Sequence, residues 1–236
     1  MRSGGVHGLG RERCLPLVPL AARIVNPIVW VLPGHAVHKL EQFALAEHGS
    51  LLDMTAAANR CEDPDRAAAY LRHALDEGRH SQMFVRRARE LAQEQGRPRP
   101  GRVRADTEHL FQTLGEVDFL AFVHRGESTG RQQFESYQQW FRSRGDVRTE
   151  QLFKALVHDE LRHEAYSLEL LTDLVPAEQV SAAFRKMWMR DLWHGWLRLG
   201  RPISHGVYLA GMLLLYPLLW PFALWVRVVR PRRSGW

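Results

Sequence analysis

Cysteine is nearly absent from this chain, with Cys14 and Cys61 the two examples in 236 residues. That excludes a disulfide framework and a thiolate zinc cluster, and it favours a reducing compartment. No CxxC pair and no GxGxxG motif occurs, so neither a cysteine-based metal module nor a flavin or pyridine nucleotide fingerprint is present. No stretch alternates apolar and polar residues with the period of two that marks a strand, and the expected fold class is all-α. Charge is missing altogether from Val207 to Val226, "VYLAGMLLLYPLLWPFALWV". About twenty such residues are the length that spans a bilayer as a helix.

What is present is equally uneven. There are 12 histidines, and the formal net charge of +6 comes mostly from arginine. Arg198 and Arg201 precede the uncharged run, and Arg227, Arg230, Arg232 and Arg233 follow it. Basic residues gathered at an apolar tail, and not along one amphipathic face, argue for membrane lipid as a partner and against nucleic acid. Pro217 and Pro221 each remove a helical hydrogen bond, so a spanning segment and a re-entrant or interfacial one both remain open. Residues 14 to 33, "CLPLVPLAARIVNPIVWVLP", are also apolar but are interrupted by Arg23 and four prolines. They make a poor signal peptide and a candidate second membrane-lying element.

Between the apolar ends, helix follows helix. Leu40, Phe43, Ala44, Leu51 and Met54 recur at helical spacing from His38 to about Asn59, and "CEDPD" supplies a turn in which Pro64 suits a first helical turn. A second helix reaches about Gln95, "GRPRPGR" is a linker, and a third helix runs from Asp106 or Glu116 to Phe141. "RSRGDV" ends it, and a fourth covers about Arg148 to Leu174. A fifth, amphipathic helix from about Ala177 to Leu199 carries Trp188, Trp193 and Trp196 among basic residues, placing it either at a membrane interface or as a cap on the helices before it. The expected organisation is therefore an N-terminal apolar segment (1–35), a four-helix bundle (36–175), an amphipathic helix (176–203), and a hydrophobic membrane segment with a basic tail (204–236).

One charged pentapeptide occurs twice, "DEGRH" at 76–80 and "DELRH" at 159–163. Glu77 with His80 and Glu160 with His163 are three residues apart, so each pair shares one helix face and can hold one ion from two side chains. Residues at equal height in an antiparallel hairpin lie equally far from its turn. Glu47 with Glu77 centres on residue 62, inside "CEDPD", and Glu127 with Glu160 centres on 143.5, inside "RSRGD". The competitors Glu41 and Glu116 centre instead on residues 59 and 138, within helices. Glu47 also sits on the apolar stripe of its helix, where a carboxylate without a cation is costly. The resulting candidate ligands are Glu47, Glu77, His80, Glu127, Glu160 and His163. Asp76 and Asp159, which precede the ligand glutamates identically, are candidates to orient the histidine of the opposite pair, and His73 and His124 are candidates for the surrounding layer. Tyr70, Tyr137 and Tyr166 are candidate hydrogen-bonding partners or core fillers. The small residues around Glu127, in "RGESTGR", leave either a pocket beside the site or a close helix contact.

This arrangement resembles the ferritin-like di-iron carboxylate superfamily, whose pattern is a Glu on each of two helices and Glu-x-x-His on each of the other two. The resemblance covers residues 36 to 174. It implies two iron ions, with manganese as the alternative since the same oxygen and nitrogen donors accept both, and redox chemistry with dioxygen or peroxide. A rubrerythrin would carry an extra Glu beside the third-helix ligand, where this chain has His124 and Gly130, and a CxxC-bearing module that is missing here. With its apolar tail the chain looks broadly similar to the demethoxyubiquinone hydroxylases, which implies a membrane-associated oxygenase acting on a lipophilic small molecule with O2 and an external electron donor. The di-metal domain is then expected on the cytoplasmic side. A membrane-bound ferroxidase or peroxide scavenger, and a non-enzymatic membrane adaptor, are the alternatives.

Overall fold

The computed structural model describes residues 30–32, 34–98, 101 and 104–229. All regular structure among them is helical: α1 (His35–Arg60), α2 (Pro64–Glu94), the short α3 (Leu110–Leu114), α4 (Glu116–Ser143), α5 (Val147–Leu174) and α6 (Ala177–Val229). The chain divides into two units, 1–187 and 188–236.

Local chemistry sets the helix ends. The Asp63 carboxylate accepts from the backbone N–H groups of Asp65 and Arg66 (3.0 and 2.9 Å) with Pro64 in the first turn, so a capped start follows directly on the end of α1. Asp146 caps α5 in the same way through Thr149 N–H (3.0 Å), and Gly145 just before it takes a φ of +74°, which a side chain would resist. These two tight turns fold α1 against α2 and α4 against α5 as antiparallel hairpins. The connection between the hairpins is long. It leaves the end of α2, passes α1, where Thr107 Oγ1 donates to Asp53 (2.6 Å), and reaches α3 and α4 at the opposite end of the first hairpin.

Two apolar layers fill the space between the hairpins. One contains Val37, Leu40, Phe43, Phe84, Phe134, Tyr137, Phe141, Phe153 and Leu156, with ring centroids 5.2–6.4 Å apart around Phe43. The other contains Met54, Ala57, Tyr70, Phe119, Leu120, Val123 and Leu171, and residues Val180 to Met187 of α6 close it. On every long helix of the two hairpins the residues between the layers are polar and inward: Glu47 on α1, Glu77 and His80 on α2, Glu127 on α4, and Glu160 and His163 on α5. A charged stratum is thus enclosed by apolar ones.

At the turn end, Glu116 accepts from Arg66 Nε, Tyr70 OH (both 2.8 Å) and Cys61 Sγ (3.3 Å). This ties α4 to the first hairpin and explains why Glu116 takes no part in the polar stratum. Burial alone would raise the Glu116 pKa, but the Arg66, Tyr70 and Cys61 contacts outweigh it and lower it. A carboxylate whose folded-state pKa is depressed stabilises the fold above its unfolded value, and that contribution is lost as pH falls through the folded value. Glu116→Gln is therefore expected to cost about 1–3 kcal/mol at neutral pH and little in acid, as measured by denaturant unfolding at both pH values.

Of the two starts for the third helix, Asp106 and Glu116, the structure has Glu116; a separate turn of helix, α3, stops at Gly115, whose φ of +79° breaks the ladder before α4. Two expectations need correction. The amphipathic helix and the apolar tail are not separate elements. α6 runs unbroken from Ala177 to Val229, because an interior proline forfeits one hydrogen bond and a long helix continues past it. Finally, among the described residues no helix is long and apolar enough to cross a membrane. The uncharged run mixes its aliphatic residues with Tyr208, Gly211, Tyr216, Pro217, Trp220 and Pro221, and lack of charge is a weaker property than hydropathy. Most of the N-terminal apolar stretch lies outside the described residues; at its end, Trp30 packs edge-on against Tyr137 and Phe141 (5.0 and 4.9 Å).

Candidate metal centre

Helical spacing brings the six candidate ligands to one place. Glu77 and His80 are three residues apart on α2, Glu160 and His163 three apart on α5, and Glu47 and Glu127 meet them from α1 and α4. The donor atoms form two groups, each able to hold a metal ion. Glu47, Glu77, His80 and Glu160 make one, and His73, Glu77, Glu127 and His163 the other; within each, the donor atoms all lie within 4.8 Å of one another. Glu77 belongs to both.

The histidines are presented as ligands. His80 Nε2 lies 3.1 Å from Asp159 and His163 Nε2 lies 3.2 Å from Asp76, so each outer nitrogen donates its proton to a carboxylate. Each inner nitrogen then carries a lone pair. Among the described residues His80 Nδ1 and His163 Nδ1 are buried and have no hydrogen-bond partner. His80 Nδ1 is 3.5 Å from Glu77 and 3.8 Å from Glu160, and His163 Nδ1 is 3.5 Å from both Glu77 and Glu127. These separations are too long for hydrogen bonds and leave room for an ion bonded to both sides.

Charge balance points the same way. Four buried carboxylates in contact cannot all ionise at little cost without cations. Burial, and then the neighbouring Glu77, push the Glu47 carboxyl well above the carboxylate range, and burial with Glu127 does the same to Glu160. Glu77 and Glu127 go the other way: burial opposes their ionisation, but the adjacent Glu47, His73 and His80 hold Glu77 well below its ordinary value, and the adjacent His73, Glu160 and His163 do so for Glu127. His73 is raised in spite of burial by Tyr166 and the carboxylates beside it.

Around the cluster the two pentapeptides reciprocate. Asp76 of the first receives His163 and Arg162 (2.7 Å) of the second, and Asp159 of the second receives His80 and Arg79 (2.6 Å) of the first. Asp159→Ala would free the His80 ring to turn or change tautomer, and is expected to weaken metal binding by about 10- to 100-fold. A competition titration against a chelator of known affinity reads this directly.

Two residues behave differently from expectation. His73, one turn before Glu77, is not an outlying neighbour. Its Nε2 lies 3.2 Å from Glu77 and 3.4 Å from Glu127, its ring stacks on His163 (3.8 Å), and its Nδ1 pairs with Tyr166 OH (2.6 Å). His124 lies outside the cluster. Its Nδ1 donates to the backbone carbonyl of Glu164 (2.9 Å) and its ring packs on Phe184 (5.2 Å), because a residue three before Glu127 projects toward the seam with α5 and α6. Tyr70 and Tyr137 serve Glu116 and Gln133, and only Tyr166 among the three candidate tyrosines reaches a cluster residue. A cavity of about 690 Å³ runs over His73, His163 and Tyr166, with Arg72, Leu75 and Leu170 among its other lining residues.

Comparison with protein-family models, curated proteins and solved structures found no match to this chain.

Proposed function

We propose that the chain is a non-haem di-iron oxygenase of the ferritin-like type, a four-helix bundle that uses O2 and an external electron donor to oxidise a lipophilic small molecule. The observation that carries this reading is the pair of buried inner nitrogens on His80 and His163, unpartnered among the described residues, facing carboxylates while Asp159 and Asp76 fix their outer nitrogens. A buried nitrogen left unpaired costs free energy, and an ion between it and the carboxylates removes that cost. Oxygen and imidazole donors without thiolate suit iron or manganese.

In this reading Glu47, His80 and Glu160 hold one ion, His73, Glu127 and His163 hold the other, and Glu77 serves both. When bound, the ions supply the activation of dioxygen. The chain's own contributions are the ligand geometry, the aspartates that hold each imidazole proton on Nε2, and two apolar layers that exclude water. The bundle assignment is supported by two antiparallel hairpins joined by one long crossover with a polar stratum at mid-height. A lipophilic substrate and lipid contact are supported by the second unit, where Trp193 and Trp196 are 61% and 68% exposed among other large apolar side chains, and by the basic residues flanking its uncharged run.

The test is O2 consumption by anaerobically Fe(II)-loaded protein given a chemical reductant and a panel of quinones, fatty aldehydes and hydrocarbons. Oxygen incorporated into an organic product is the expected result. Iron oxidation that proceeds to many ions per chain, with no product from any substrate, would replace the oxygenase reading with a ferroxidase.

A further inference from the structure

Helix α4 is weakest where it passes the metal ligands. Gly126 and Gly130 lie one turn apart on one face, with Glu127 between them, and glycine inside a helix is less favourable than alanine. Neither glycine has a positive φ, so backbone conformation does not demand it. Packing does not demand it either. A Cβ on Gly126 would meet nothing within 4 Å, and one on Gly130 would make an ordinary contact, 3.8 Å from Oε2 of Glu160.

What the missing side chains leave is a passage. Gly126 is exposed and Gly130 half-buried, so at the first and last positions of this turn no side chain stands between solvent and the Glu160 carboxylate. The Glu127 side chain beside it is 12% exposed, against 0% for His73 and His80 and 2% for Glu77 and His163. Behind it lies the unpartnered His163 Nδ1, 3.5 Å from Glu127 Oε2. The turn is also framed. His124 donates to the Glu164 carbonyl on one side, and Arg131 Nε donates to the Glu164 carboxylate (2.7 Å) on the other, so α4 is tied to a single residue of α5 above and below the gap. From the large cavity over α2 and α5, by contrast, the stacked rings of His73 and His163 close the way in.

We propose that the Gly126–Gly130 turn of α4 is the port through which small ligands, first the metal ions and then a diatomic such as dioxygen, reach the cluster, and that these glycines set the size limit for what enters. The inference rests on the dinuclear reading of the site.

The test uses the metal-free full chain and follows Co(II) uptake by stopped-flow absorption, then azide binding to the cobalt-loaded protein. Gly126→Leu and the Gly126→Leu, Gly130→Leu double variant should slow both processes by about tenfold or more at unchanged final stoichiometry. Leu75→Trp in the opposite cavity should leave both rates unchanged. Because the Gly126→Leu side chain enters open space, that variant alone decides the matter if the double variant loses its ligand geometry. Wild-type rates in Gly126→Leu, or slowing by Leu75→Trp instead, would overturn the port while leaving the metal site intact. A wild type that takes up no cobalt would overturn the dinuclear reading, and the port with it.

Discussion

Glu77→Ala is expected to empty both halves of the cluster at once, reducing bound metal from about two ions per chain to nearly none. The reason is topological. Among the described residues Glu77 is the one whose carboxylate belongs to both donor groups, 3.5 Å from His80 Nδ1 and 3.5 Å from His163 Nδ1. His80→Ala should remove only the ion shared with Glu47 and Glu160, and His163→Ala only the ion shared with His73 and Glu127. Metal analysis of the three variants after anaerobic loading separates these outcomes, and circular dichroism checks that each remains helical. Helicity should survive, since Glu77→Ala deletes a buried charge whose main partners are other carboxylates and imidazoles of the same cluster. Loss of one ion in Glu77→Ala, or of both in His80→Ala, would contradict a shared carboxylate.

The second large effect is on stability, and metal reverses its sign with pH. In the metal-free protein Glu47 and Glu160 have folded-state pKa values raised well above the carboxylate range by burial and by Glu77 and Glu127, and His73 is raised as well. A group whose folded pKa is raised stabilises the fold below its unfolded value, and that contribution is lost as pH climbs through the folded value. The metal-free protein should therefore become less stable from the ordinary carboxylate range upward. Metal binding runs the other way, because ions displace protons from groups whose pKa is raised, Glu47, Glu160, His73 and His80, so ions entering should release protons. At a free metal concentration a thousandfold above its dissociation constant, each ion adds about 4 kcal/mol. For a domain of this size that raises the melting temperature by about 10 °C or more. Thermal melts of metal-free and loaded protein between pH 6 and 9, with calorimetric titration in buffers of different ionisation enthalpy, measure both quantities. Parallel pH profiles with and without metal would contradict the account, as would titration with no proton release.

That Glu47, Glu77, His80, Glu127, Glu160 and His163 come together was legible in the sequence. The Glu-x-x-His spacing places two side chains on one helix face whatever surrounds them, and the hairpin midpoints picked Glu47 and Glu127 because the turns at "CEDPD" and "RSRGD" are strongly encoded by Asp caps, Pro64 and Gly145. His73 was placed one layer too far out, as a neighbour of the ligands, whereas its Nε2 lies 3.2 Å from Glu77 and 3.4 Å from Glu127. The two pentapeptides invite comparison as copies, yet the position one turn before Glu160 is Leu156, a fully buried core residue, so the copy predicts nothing at the position of His73. The signal that could have moved it inward is the spacing of 73, 77 and 80 along one face of α2. His124 misled for the complementary reason: three residues before a ligand is the same face only approximately, and the approach of α5 and α6 decided its direction. Beyond the hairpins, an amphipathic helix and an apolar tail were expected as separate elements, whereas one continuous helix from Ala177 to Val229 carries both.

The most direct measurement is the number of iron ions bound per chain after anaerobic Fe(II) loading and gel filtration, joined to Mössbauer and EPR spectra of the oxidised protein. Two ions per chain in a spin-coupled pair, silent in EPR when both are ferric, is the result that two donor groups sharing Glu77 predict. A single ion with the spectrum of isolated ferric iron, or a chain that leaves the column free of metal, would contradict it.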